Sequence, residues 1–197
     1  MDDWMIFIGS IVPAFVLGVL FTSLVRGMPI DASANMYAGF TDYFNLYSIV
    51  GGIAMVVLCC VHGLTYIGLR TEGPIRKRAQ EMLTKMYILL LVGLIAFAVL
   101  TYFSTDLFEA RPVATPLFLF GAVLTTAFAY FFTGKRMEGW AFTMTTGTIL
   151  FTVTMLFVGL FPRVMISSIS SDFNLTIINA SSSPYTLKVM TIVSLTL

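Results

Sequence analysis

His62 is the one histidine among 197 residues, and it stands in an apolar stretch about two helical turns before Arg70. An imidazole in that setting has the chemistry to ligate a haem iron, carry a proton or bond to a quinone. The alternative is a neutral ring hydrogen-bonded to a neighbouring helix. No second histidine and no convergent carboxylate accompanies it, which favours the structural role. Cys59 and Cys60 are adjacent in the same stretch, so on a helix they point in different directions. They read as small packing side chains rather than a disulfide or a metal pair. Glu72 and Arg76 have the i, i+4 spacing of a helical ion pair, but Gly73-Pro74 interrupts the turn between them, and Glu72 reads as a solvated loop charge. Thr125, Thr126, Thr145, Thr148 and Thr152 would line a polar path if they faced a channel. Threonine hydroxyls in membrane helices more commonly bond back to their own backbone, and that is the expectation here. Asn174 and Asn179 begin Asn-x-Ser/Thr matches that matter only in a eukaryotic secretory setting.

The elements that must position these side chains follow from composition. Hydrophobic residues make up 58% of the chain and charged residues 11%, against about a quarter charged in a soluble domain. The chain therefore reads as an integral membrane protein. Its net charge of +1 supplies no basic face for nucleic acid. Asp2 and Asp3 follow Met1, so the basic start of a cleavable signal peptide is not seen. Uncharged stretches at about 4–25, 43–69, 86–103, 113–133 and 139–161 are each long enough to cross a hydrocarbon core of about 30 Å. A last apolar stretch, 187–197, would extend only about 16 Å as a helix. The predicted fold is an all-α polytopic transmembrane bundle, one domain over 1–197, with five full spans plus a truncated sixth. Ala14/Gly18/Thr22 and Gly121/Thr125/Ala129 form small-residue ridges that let another helix approach closely, either within the chain or in a partner.

Arg70, Arg76, Lys77, Arg78 and Lys85 form a basic segment between the second and third spans, which predicts a cytoplasmic loop at 70–85. Gly73-Pro74 would break the chain there, with Pro74 opening a short surface helix. Alternation then puts seven Lys/Arg, including Lys135 and Arg136, on the cytoplasmic side. Arg26, Arg111, Arg163 and Lys188 are left outside, and the Ser- and Asn-rich loop 162–186 is extracytoplasmic. No Asp, Glu, Lys or Arg lies between the ends of the five spans, which weighs against a complete proton or ion path in this segment.

Three stretches carry a resemblance: GSIVPAFVLGVLFTSLVRGMPID at Gly9 to Asp31, VHGLTYIGLRTEG at Val61 to Gly73, and LTIINASSSPYTLKVM at Leu175 to Met190. Together they closely resemble subunit II of the cytochrome bd family of bacterial quinol oxidases, with residue choices like those of Gram-positive members. The SSSPYTLK core is the most specific part, and the resemblance covers essentially the whole chain. It implies a multi-pass subunit of the bacterial plasma membrane, in a complex that oxidises quinol and reduces dioxygen to water electrogenically. Haem b and haem d would sit in the pseudo-symmetric partner, subunit I, with a small accessory subunit and a structural quinone as further associates. Subunit II would support assembly of the haem sites. The resemblance also implies that the first helices and most of the last are missing, together with the family's acidic residues for proton access. His62 matches a motif position that is not a haem ligand. No catalytic, metal-ligating or cofactor-binding residue is assigned to this chain. The rival reading is a small-solute permease or channel fragment.

Overall fold

The computed structural model describes residues 2–196 and is built almost wholly of helix. With no water to bond an exposed amide in hydrocarbon, apolar segments of this length satisfy their backbone by coiling. The chain runs α1 (Asp2–Arg26), α2 (Phe40–Tyr43), α3 (Leu46–Arg70), α4 (Gly73–Ser104), α5 (Leu107–Ala110), α6 (Ala114–Gly134) and α7 (Glu138–Leu160). Two short strands follow, β1 (Arg163–Met165) and β2 (Leu175–Thr176), and then α8 (Pro184–Thr196). Five of these helices, α1, α3, α4, α6 and α7, are long and apolar enough to span a membrane.

Short connections make successive spans antiparallel. Helices α3, α4, α6 and α7 pack as an up-and-down four-helix bundle, and α1 lies along the outside of α3. The core at the end carrying the basic segment is Val57, Leu58, Val61, Leu83, Tyr87, Leu90, Leu94 and Ala129. Val25, Leu107 and Leu160 close the opposite end. The α1–α3 crossing is a close approach. A Cβ placed on Gly51 would lie 2.2 Å from Thr22 Cγ2, and one on Gly18 would lie 2.8 Å from the Gly52 Cα. The Gly121/Thr125 ridge faces α7, where Gly121 meets the Phe151 ring and Thr125 meets Gly147. Both ridges therefore pack helices within this chain.

The expected loop at 70–85 is helix instead. Only Thr71 and Glu72 separate α3 from α4, and Gly73, with φ +66°, turns the chain before Pro74 enters the first turn of α4. The short surface helix and the third span are one continuous element. Ala79, Leu83 and Tyr87 recur every fourth residue on its buried side, so an apolar stripe runs through the basic segment. Counting charges hides that stripe; following the spacing exposes it.

The 162–186 segment is also more ordered than a loop. Strand β1 pairs antiparallel with β2, and a 3₁₀ turn spans Ser171–Phe173. Met28 and Ile30, from the α1–α2 connection, are buried beneath it. The Met28 amide donates to the Ile166 carbonyl at 2.8 Å, Ser168 N–H to the Met28 carbonyl at 2.9 Å, and the Ser167 hydroxyl to the Ile30 carbonyl at 2.8 Å. Arg163 grips both carboxylate oxygens of Asp106. Asn174 and Asn179 are internal braces here, with Asn174 Oδ1 accepting from Ser167 N–H at 2.7 Å and Asn179 Nδ2 donating to the Asn174 carbonyl at 3.0 Å. The bonds from Met28, Ile30 and Asp106 join chain segments far apart in sequence, whereas those of Asn174 and Asn179 are local. None of the side chains of α8 is buried.

Candidate functional site

A seam of hydroxyls runs down the bundle, and it begins at His62. On α3, His62 faces α7, and its Nδ1 lies 2.9 Å from Thr145 Oγ1. The Thr145 hydroxyl donates to the Phe142 carbonyl at 2.9 Å, so the shared proton belongs to the ring and Nδ1–H is the donor. The Thr65 hydroxyl donates to the His62 carbonyl at 2.7 Å and sits 3.3 Å from Thr145 Oγ1. Phe142 stacks on the imidazole at 4.7 Å between ring centroids. The ring is thus a strut between two helices.

One turn along α7, Thr148 Oγ1 lies 3.0 Å from Thr125 Oγ1 and 3.1 Å from Thr126 Oγ1, both on α6. Each hydroxyl also lies within hydrogen-bond distance of its own helix backbone, as expected, and since a hydroxyl carries one proton, each donates either to that carbonyl or across to its neighbour. Thr65, Thr126, Thr145 and Thr148 are each at most 2% exposed. Hydroxyls that are buried between helices, each with an acceptor in reach, leave no row of free groups to line a path. Thr152 donates to the Thr148 carbonyl at 2.8 Å and borders an apolar cavity of about 50 Å³, with Gly18, Thr22, Gly51, Leu58 and Leu94.

The cavity is far below the several hundred Å³ of a typical cofactor site, and His62 does not border it. Among the described residues no three His, Cys, Asp or Glu side chains gather closely enough to hold a metal ion. Cys59 and Cys60 are unpaired and face outward from the bundle, so they do not pack its interior as the sequence suggested.

At the basic end, Arg76 pairs across helices rather than with Glu72. Its Nε donates to Glu138 Oε1 at 3.0 Å, its Nη2 reaches the same oxygen, and Gln80 Nε2 donates there at 2.7 Å. Glu72 is the N-cap residue, in extended conformation outside the helix, where the i, i+4 relation no longer holds. Glu138 opens α7 and was not singled out by the sequence, since only the adjacency of α4 and α7 brings it to Arg76. A carboxylate in the first turn of a helix is favoured by the helix dipole as well as by the cation. At the other end, Tyr47 OH lies 3.1 Å from Thr101 Oγ1, and Ser23 Oγ lies 3.0 Å from Ser48 Oγ.

Comparison with known proteins adds a second line of observation. A family profile described as cytochrome bd terminal oxidase subunit II matches residues 1–197. The chain is similar to cytochrome bd ubiquinol oxidase subunit 2 of Bacillus subtilis (strain 168), with 48% identity over 195 residues, which is 99% of this chain and 58% of that protein. It is also similar to cytochrome bd-I ubiquinol oxidase subunit 2 of Escherichia coli (strain K12), with 27% identity over 233 residues, covering 100% of this chain and 61% of the relative. The chain thus spans about three-fifths of the length of these relatives.

Proposed function

The chain belongs to the cytochrome bd terminal oxidase subunit II family and is a multi-pass membrane protein, and from that premise we propose that it is the haem-free structural subunit of a quinol:dioxygen oxidoreductase in a bacterial respiratory chain. The observation that carries this reading is the match of the family over the whole chain. The relatives are named as subunits of ubiquinol oxidases. Haem b and haem d are held by the partner, subunit I, and quinol is oxidised there while dioxygen is reduced to water.

The residues of this chain act as a rigid wall in that complex. The Gly18/Gly51/Gly52 contact fixes α1 to α3, and the threonine seam fixes α6 to α7. The wall presents a fixed apolar exterior, including Phe7, Phe120 and Leu150, to subunit I and to lipid. A small accessory subunit and a quinone are further associates of the complex. Its basic end faces the cytoplasm, because Lys and Arg are retained on that side during insertion. The closed seam speaks against a permease, since the hydroxyls that would line a solute path are buried between helices with acceptors in their own backbone.

Coexpression of this chain with a bd-type subunit I tests the reading. Affinity purification through this chain brings subunit I down in fixed ratio. A chain that purifies alone and moves small solutes across proteoliposome membranes would instead be a permease.

A further inference from the structure

The N-terminal turns of α4 and the α6–α7 turn enclose an open cleft of about 270 Å³, lined by Gly73, Arg76, Lys77, Gln80 and Arg136. Every side chain in that lining is polar or cationic. Glu138 offsets the charge of Arg76 and, by holding its Nε and Nη2 edge, fixes the guanidinium against the wall. Lys77 and Arg136 bring positive charge that no carboxylate of the lining offsets, while Glu72 is exposed and outside the lining. Arg136 occupies a left-handed position, φ +56°, at the end of α6, where its amide donates to the Thr133 carbonyl at 3.1 Å. Glycine is the usual residue in that conformation. An arginine there accepts strain that glycine would avoid and places a cation at the mouth of the cleft.

The depth of the cleft in the membrane is marked by its neighbours. Trp140, Tyr66 and Phe131 are half exposed or more near this end of the bundle, with Lys135 Nζ 4.5 Å over the Phe131 ring and Arg70 5.9 Å over Tyr66. Aromatic rings and snorkelling cations of this kind sit at the level of lipid headgroups. We propose that this cleft binds the phosphate of an anionic glycerophospholipid, with Lys77 and Arg136 as its charged contacts and Glu138 as the residue that positions Arg76. The proposal stands apart from the oxidase reading, since it uses only the basic end and its depth.

The test uses the full chain with the subunits that copurify with it, reconstituted in nanodiscs of phosphatidylcholine with or without phosphatidylglycerol. Phosphatidylglycerol retained through detergent washing is counted by mass spectrometry. Lys77→Gln and Arg136→Gly should each lower retention roughly fivefold, the effect of one cation at a membrane surface. Lys85→Gln, on the same helix but outside the cleft, should leave retention unchanged. Arg136→Gly should melt no lower than wild type, because glycine relieves the backbone, so loss of lipid would not report misfolding. Equal retention in wild type and both cleft variants would overturn the proposal, and so would an equal loss with Lys85→Gln, which would mean diffuse surface charge. If inorganic phosphate displaces phosphatidylglycerol, the cleft is a soluble-phosphate site and the lipid assignment fails.

Discussion

His62 is the residue with the most chemistry to offer, and its surroundings commit it to structure. Its Nδ1 proton goes to Thr145, its carbonyl takes the Thr65 proton, and Phe142 covers its face. Replacing Thr145 with valine keeps the shape and removes the acceptor. The expected cost is about 0.6 to 1.7 kcal/mol, the range of hydrogen bonds between membrane helices, read by unfolding in mixed micelles. Asp31 shows the opposite balance, a charged group that the fold keeps charged. The Asn35 amide, foremost, then the Ser33 amide and the Tyr37 hydroxyl hold its carboxyl below the ordinary value of 3.8. The folded turn therefore gains from the charged form, and the gain is present above that ordinary value and lost as pH falls through the lowered one. Amide exchange at Ser33 and Asn35, corrected for intrinsic rate, should stay slow at neutral pH and quicken only in strong acid. Asp31→Asn should make both amides exchange faster at neutral pH, with the difference from wild type closing in strong acid. The positions of His62 and the threonines were legible in the sequence, but the pairing of Arg76 with Glu138 was not. Those two residues meet only because α4 lies beside α7, and no local spacing encodes that neighbourhood.

At the scale of elements, apolar length located all five spans, while charge obscured the start of α4. Lys77, Arg78 and Lys85 sit on the exposed side of a helix whose other side buries Ala79 and Leu83. Periodicity was the better guide there. The ridge at Gly18 was visible, whereas its counterpart, Gly51-Gly52, carried a signal that went unread: two adjacent glycines inside an apolar helix. Gly51→Ala should destabilise the protein by about 1 to 3 kcal/mol, the usual cost of forcing extra volume into a tight contact. The added Cβ would lie 2.2 Å from Thr22 Cγ2. Gly63→Ala is the control. A Cβ there meets nothing within 4 Å, so the change should be neutral or gain up to about 1 kcal/mol from helix propensity. If both substitutions proved equally mild in mixed-micelle unfolding, the α1–α3 contact would not be the close crossing described. The burial of Met28 and Ile30 lay beyond sequence reading, because their bonds connect segments more than a hundred residues apart.

For the whole molecule, the bundle is closed, the buried side-chain polar atoms of the described residues all have partners, and the exterior is apolar with seven of the eleven cations at one end. Those properties agree with the structural role proposed for the chain. The chain spans about three-fifths of its relatives' length, so retention of the subunit interface by this much of the protein is the central claim. The reduced-minus-oxidised absorption spectrum of material purified through this chain, after coexpression with a bd-type subunit I, tests it most directly. Haem b and haem d bands in the purified complex are the predicted result. A haem-free spectrum, with subunit I left in the unbound fraction, would contradict it.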